Sequence, residues 1–177
     1  YKIIDRNRNN IIDDDDRDFV GQTTPQFFGS FSNTFKSHGF DLTIFLTYAG
    51  GHKIYNPFAY LDSYSPSANM SPDYYHNYWT PERPSNKYPR LGSTNSQLYE
   101  TDGMYQKGDY IRLKNLELGY TLPRNIANKV YASNIRVYAS VQNLVTFTKY
   151  TGFDVETSNA NPYPACRVFM GGLTVNF

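Results

Sequence analysis

Apolar and polar residues alternate with a period of two in five stretches of this chain, the spacing that sends successive side chains to opposite faces of a β-strand. In the first, Phe27, Phe31 and Phe35 share a face with Gly29 and Asn33. In the second, Phe40, Leu42, Ile44, Leu46 and Tyr48 stand against Asp41, Thr43, Phe45 and Thr47. The short link Ser37-His38-Gly39 predicts an antiparallel hairpin. From Gly50 to Asp109 the periodicity dissolves into Tyr, Pro, Asn and Ser, including Trp79-Thr80-Pro81-Glu82-Arg83-Pro84. So long a stretch without a period, inside a compact domain, marks function. Alternation resumes at Tyr110. The simple reading puts Leu116, Leu118 and Tyr120 on one face with Arg112 and Lys114 nearer its start, and Ile111, Leu113, Asn115, Glu117 and Gly119 on the other. A connection through Pro123 to Ser133, with a helical turn, leads to Ile135, Val137, Ala139 and Val141 set against Arg136, Tyr138, Ser140 and Gln142. After a loop at about 146–166, the last stretch places Phe169, Gly171, Leu173, Val175 and Phe177 on one face, with Arg167 at its start.

Short connections at 37–39 and 122–133 alternate with long ones at 50–109 and 146–166. Short turns on one side and long loops on the other is the arrangement of outer-membrane β-barrels, and a terminal aromatic closing the last strand fits it. With the C-terminus periplasmic, the short turns are periplasmic, and the long loops and segment 1–26 are extracellular. The domain reading is therefore an extracellular loop at 1–26 followed by barrel strands and loops at 27–177. Alternation assigns Leu42, Ile44, Leu46, Ile135, Val137, Val141, Leu173 and Val175 to lipid. Five strands do not close a barrel, since the smallest have about eight. With neither Met nor a signal peptide at Tyr1, the chain is expected to be part of a longer polypeptide.

Composition sharpens this picture. A net charge of +1 over 177 residues, with scattered Lys and Arg, argues against nucleic acid. The 17 Tyr against one Trp suit surfaces that are half wet and half apolar, such as membrane interfaces and carbohydrate clefts. No stretch reaches the roughly 18 apolar residues of a membrane-spanning helix. The single Cys166 excludes an intrachain disulfide framework. His38, His52 and His76 fall at a turn and in a loop, paired with no nucleophile at a recognisable spacing, so catalysis is not expected.

One motif carries explicit chemistry. Asp5 to Asp16 resembles a twelve-residue EF-hand or dockerin calcium loop. Asp5, Asn7 and Asn9 occupy positions one, three and five; Ile11 offers its carbonyl at seven, Asp13 acts through water at nine, and Asp16 fills twelve. Asn10 replaces the usual Gly at six, which Asn tolerates better than most residues. Asp16 in place of Glu and two Asn in place of acids weaken the set. The bland alternative is a solvated acidic turn. A bound Ca2+ would be structural.

Taken together these blocks resemble the C-terminal end of the SusC/RagA family of TonB-dependent outer-membrane transporters, over nearly the whole chain. The resemblance rests on the acidic loop with Asp18-Phe19-Val20-Gly21, on Gly39-Phe40-Asp41-Leu42-Thr43-Ile44-Phe45 and on Trp79-Thr80-Pro81-Glu82. Its most specific block is Gly108-Asp109-Tyr110-Ile111-Arg112-Leu113-Lys114-Asn115-Leu116-Glu117-Leu118-Gly119-Tyr120-Thr121-Leu122-Pro123. Arg136 to Leu144 and Thr146 to Asp154 follow in order. The resemblance implies an all-β, antiparallel barrel of about 22 strands, of which this chain is about the last five, with long extracellular loops. It implies nutrient import of glycans or oligopeptides, a SusD-like surface lipoprotein as lid, and TonB acting through an N-terminal part, with a plug domain, outside this chain.

Loop residues Tyr74, Tyr75, Tyr78 and Trp79 are candidates to stack on substrate or pack on the lid; packing within the loop is the commoner role for any single one. A second class also fits aromatic loops and a calcium motif: a soluble β-sandwich acting as a carbohydrate-binding or adhesin module. It needs its strands to enclose a core, whereas a barrel segment leaves one apolar face for lipid.

Overall fold

The structure is a computed structural model in which residues 4–56, 72–91, 101–157 and 163–177 are described. The parts of the long loops at 57–71, 92–100 and 158–162 lie outside the described residues. Five strands form one antiparallel sheet: β1 (Phe27–Ser37), β2 (Phe40–Gly50), β5 (Tyr110–Thr121), β6 (Asn134–Thr148) and β7 (Val168–Asn176), in the order β1-β2-β5-β6-β7. The separate pair β3 (Lys53–Tyr55) and β4 (Tyr105–Lys107) joins the two ends of the long loop as a small ribbon. A six-residue helix α1 (Pro72–Asn77) lies within that loop, which is thus partly structured where the sequence showed no period.

At one end of the sheet the connections are tight. His38 and Gly39 join β1 to β2 with φ of 50° and 86°. Positive φ at both central residues gives the turn whose twist matches that of the strands it joins. Between β5 and β6, helix α2 (Arg124–Ala127) and a 3-10 turn at Asn128–Val130 supply the expected helical turn, burying Ala127. The opposite end carries both long loops and segment 4–26. These are the hairpin end and the loop end of the sheet.

Register fixes the two faces. Phe35, Leu42, Leu118, Ala139 and Gly171 form one cross-strand row, and Asn33, Ile44, Leu116, Val141 and Phe169 the next. All eight residues assigned to lipid lie on this outer face. Nothing among the described residues covers it: Phe31 is 52% exposed, Leu118 51%, Leu173 63% and Phe169 74%. An apolar surface of this extent is an interaction surface, here one matched to hydrocarbon. Aromatics border it. Phe40 and Tyr120 lie 4.5 Å apart with their rings tilted at the hairpin end, and Tyr48 and Phe147 sit toward the loop end. From Phe40 to Tyr48, β2 runs about 27 Å along its axis. Tilted by roughly 40°, that crosses about 21 Å, most of the roughly 25 Å apolar band of an outer-membrane barrel. A sandwich needs a second sheet over the core face, and among the described residues the only other sheet is the two-stranded β3–β4 ribbon.

Two irregularities correct the simple alternation. Between β2 and β5 the pairing passes from Phe45↔Asn115 to Leu46↔Leu113, so Lys114 is an extra, bulged residue. The bulge changes the phase of β5. Ile111 and Leu113 join Leu116 and Leu118 on the outer face, and Arg112 turns inward with Lys114, onto the face that also carries Glu117. The expected grouping of Arg112 and Lys114 with Leu116, Leu118 and Tyr120 is thus overturned; bulges commonly re-aim side chains in this way. A second bulge in β6, with Asn143 at a φ of 52°, lets that strand continue to Thr148, so the loop begins later than 146.

Candidate functional site on the inner wall and its loops

The inner face is polar, and its charges are grouped. Near the hairpin end Arg136 on β6 reaches across β5 to β2. Its Nε donates to Asp41 Oδ1 at 3.0 Å and a terminal nitrogen to Glu117 Oε1 at 2.7 Å, with a second, short contact to the other Asp41 oxygen. The guanidinium lies 5.1 Å from the Tyr138 ring centroid. Gly119 makes this possible. It sits between Asp41 and Tyr138 in the register, and a Cβ there would stand 2.6 Å from both Arg136 Nε and Asp41 Oδ1. One cation thus staples three strands through the space a side chain would fill.

At the loop end the β5 bulge aims Arg112 and Lys114 at the same target. Arg112 is 4% exposed and bonds Asp154 and Glu156, each at 2.6 Å, while Lys114 reaches Glu156 at 3.0 Å. Burial tends to raise the Asp154 pKa, but the Arg112 guanidinium and the amides of Glu156 and Ala165 outweigh it and hold the carboxyl below its usual range. Burial and the nearby Asp154 charge push the Tyr150 phenol up.

Residues 72–91 form a small self-packed unit. Tyr74 is buried, its hydroxyl donating to the Pro89 carbonyl and its ring packed on Tyr78 and Tyr88. Asp73 accepts from Lys87 Nζ and the Tyr88 hydroxyl, which hold its carboxyl below the usual range. Arg83 lies over the Tyr78 ring at 5.5 Å. Of the four candidate aromatics, Tyr74 therefore faces inward, Tyr78 and Trp79 are half-buried, and Tyr75, 60% exposed beside His76, is the one presented outward. A six-residue helix is too short for its period to reveal which tyrosine is buried.

The acidic segment curls on itself. The Asp5 carboxylate accepts from the amides of Asn9 and Asn10, Asn7 from Asn9, and Asn9 from Ile11. Asp16 closes the loop, accepting from the amides of Arg6 at 2.7 Å and Asp13 at 3.1 Å, while Asp13 caps the 3-10 turn Asp14–Asp16. The Asp13 and Arg6 amides lower the Asp16 pKa. Asn10 adopts the left-handed backbone, φ 64°, that position six of a calcium loop requires. Among the described residues, however, no three acidic, His or Cys side chains are grouped as metal ligands. A cation here would depend on the Asn7 and Asn9 side-chain oxygens and the Ile11 carbonyl as much as on acids.

Among the described residues, one uncovered apolar face, one charge-lined face, tight turns at one end and folded loops at the other define a segment of an antiparallel transmembrane β-barrel. No protein-family model matches the chain. TonB-dependent receptor P3 of Formosa agariphila is 34% identical over 188 residues, covering 98% of this chain and 18% of the receptor. TonB-dependent receptor SusC of Bacteroides thetaiotaomicron is 28% identical over 178 residues, covering 98% and 17%. Among solved structures, the RagAB peptide transporter superposes with a TM-score of 0.79 at 27% identity, covering 94% of this chain and 19% of that one. The RagAB peptide importer in its open-open state gives 0.72 at 28%, covering 88% and 17%. The chain belongs to the SusC/RagA family of TonB-dependent receptors, as a barrel segment. It spans less than a fifth of the length of these relatives. Receptors of this family are outer-membrane proteins of Gram-negative bacteria.

Proposed function

We propose that this chain is the barrel wall and part of the outer mouth of a TonB-dependent transporter that imports glycans or oligopeptides with a SusD-like surface lipoprotein as its lid. The observation that carries the reading is the match along almost the whole chain to TonB-dependent receptors, joined to a sheet with one lipid-suited face and one charged wall. The loop end is extracellular in this reading, and TonB acts through parts outside the chain. The RagAB structures concern a peptide transporter, which favours oligopeptides as the first cargo to test. Deleting the receptor gene should abolish growth on one class of oligopeptide or glycan and uptake of its fluorescent derivative. Within the intact receptor, Tyr75→Ala should weaken capture of that cargo several-fold with barrel assembly unchanged. Undiminished uptake and growth on every such nutrient after deletion would overturn the reading.

We also propose that Asp5 to Asp16 binds calcium and fixes the segment leading into β1. The left-handed Asn10 and the Asp16 closure support it. In the purified receptor, adding calcium after chelation should slow proteolysis within residues 5–16, and Asp5→Ala should remove the effect. Identical cleavage with calcium and with chelator would leave only a solvated acidic turn.

A further inference from the structure

We infer that residues 149–157, the first part of the β6–β7 loop, form a fixed strap folded onto the inner wall that narrows the passage at the loop end, and that Arg112 is the positioning residue that holds it there. That the space beside it is a passage rests on the transporter function proposed above; the fold of the strap does not.

The bulge at Lys114 costs β5 a regular ladder, and what it gains is two cations directed to the same side of the sheet. Arg112 then spends its whole fork: Nε on Thr146 Oγ1 at 2.8 Å, one terminal nitrogen on Glu156 and the other on Asp154. A guanidinium with this geometry is far more directional than an ammonium. Asp154 is as buried as its partner, and its two oxygens tie both limbs of the loop. Oδ1 accepts from the Glu156 amide at 2.9 Å, on the limb leaving β6, and Oδ2 from the Ala165 amide at 3.0 Å, on the limb entering β7. Glu156 also receives Lys114 and the Tyr110 hydroxyl, so two cations face two carboxylates and the cluster is neutral.

Further contacts hold the strap on the side of the long loop. The Thr151 amide donates to Gln106 Oε1 at 2.9 Å, and Gln106 Nε2 donates to Thr151 Oγ1 at 2.9 Å. With the loop turned away, Arg112 would be left in the wall without its carboxylates, and removing the partner of a buried charge is strongly destabilising. The depressed Asp154 pKa has a definite sign. Its contribution is complete above the ordinary carboxylate value and is lost only as the pH falls through the lowered one. The strap therefore stays closed through neutral and mildly acidic pH, as a fixed narrowing and not a pH gate.

The test uses the full receptor in detergent, with Cys166→Ser and a reporter Gln142→Cys on the inner wall, paired with Asn115 beside the bulge. A small maleimide should label the reporter readily and a bulky one slowly. Arg112→Met and Asp154→Asn should each raise the bulky-reagent rate at least tenfold. They should also speed hydrogen exchange at the Glu156 and Ala165 amides by a similar factor. Lys129→Met, on an exposed turn at the hairpin end, should change neither. Asp154→Asn alters only the loop side, so it answers if Arg112→Met fails to assemble. Unchanged exchange at Glu156 and Ala165 in Asp154→Asn would overturn the latch; faster exchange with unchanged bulky labelling would overturn the narrowing. Neither readout depends on cargo, so failure of the uptake experiment and failure of the strap are separate results.

Discussion

Leu116→Arg is expected to lower the stability of the assembled receptor by about 2–4 kcal/mol, the range for a basic residue on the lipid face near the membrane midplane. Leu116 stands in the middle strand of the sheet, flanked on the outer face by Ile44 and Val141. With this face in lipid, its side chain would meet only hydrocarbon outward, and a guanidinium there would find no water and no carboxylate. Gln142→Arg, one position from Val141 and on the opposite face, is the matched comparison and should cost less than about 1 kcal/mol, since that wall already carries charge. Denaturant titration of the receptor folded into phospholipid vesicles measures both. Equal costs for the two substitutions would mean that the face read here as lipid-exposed is not in lipid.

The second large effect is expected at Gly119. Any Cβ there invades the space through which Arg136 reaches Asp41, so Gly119→Val must displace the guanidinium and break the three-strand staple. Breaking a fully buried pair costs about 3–5 kcal/mol. The members here are partly exposed, with Arg136, Asp41 and Glu117 side chains at 25%, 15% and 27%. We therefore expect about 2–3 kcal/mol, allowing for solvent screening. A double-mutant cycle identifies the cause. If Gly119→Val acts by ejecting Arg136, then combining it with Arg136→Met should cost clearly less than the sum of the two. Strict additivity would mean that the glycine matters for some reason other than the staple.

The strands were legible because a half-lipid, half-water environment favours alternation, and β1, β2 and β7 keep one phase from end to end, with Asn33 and Phe45 as exceptions to the pattern. Where the period slips, reading by alternation fails. Ile111 and Leu113 are out of phase with Leu116 and Leu118, and that three-residue step from Leu113 to Leu116 was the available sign of a bulge. In β6 the bulge adds two residues against one in β5, so Val141 and Val145 remain in phase and nothing betrays it. The charge clusters were less legible still. Arg112 and Asp154 lie 42 positions apart, and Arg136 and Asp41 lie 95 apart. Only the fold brings them together. Among the loop aromatics, the sequence offered four equivalent candidates, and tertiary packing around Tyr74 separated them.

The open edges of the sheet bear on how damage to this segment would be felt. Among the described residues β1 and β7 each have one neighbour, so two rows of backbone amides and carbonyls await further strands. In hydrocarbon each unmatched group costs several kcal/mol. The segment is therefore expected to insert only together with strands that pair with both edges, in one all-or-none step. A defect at Leu116 or Gly119 should then surface as less receptor at the cell surface, through disposal of unfinished chains, and not as a full complement of receptors with one weak spot.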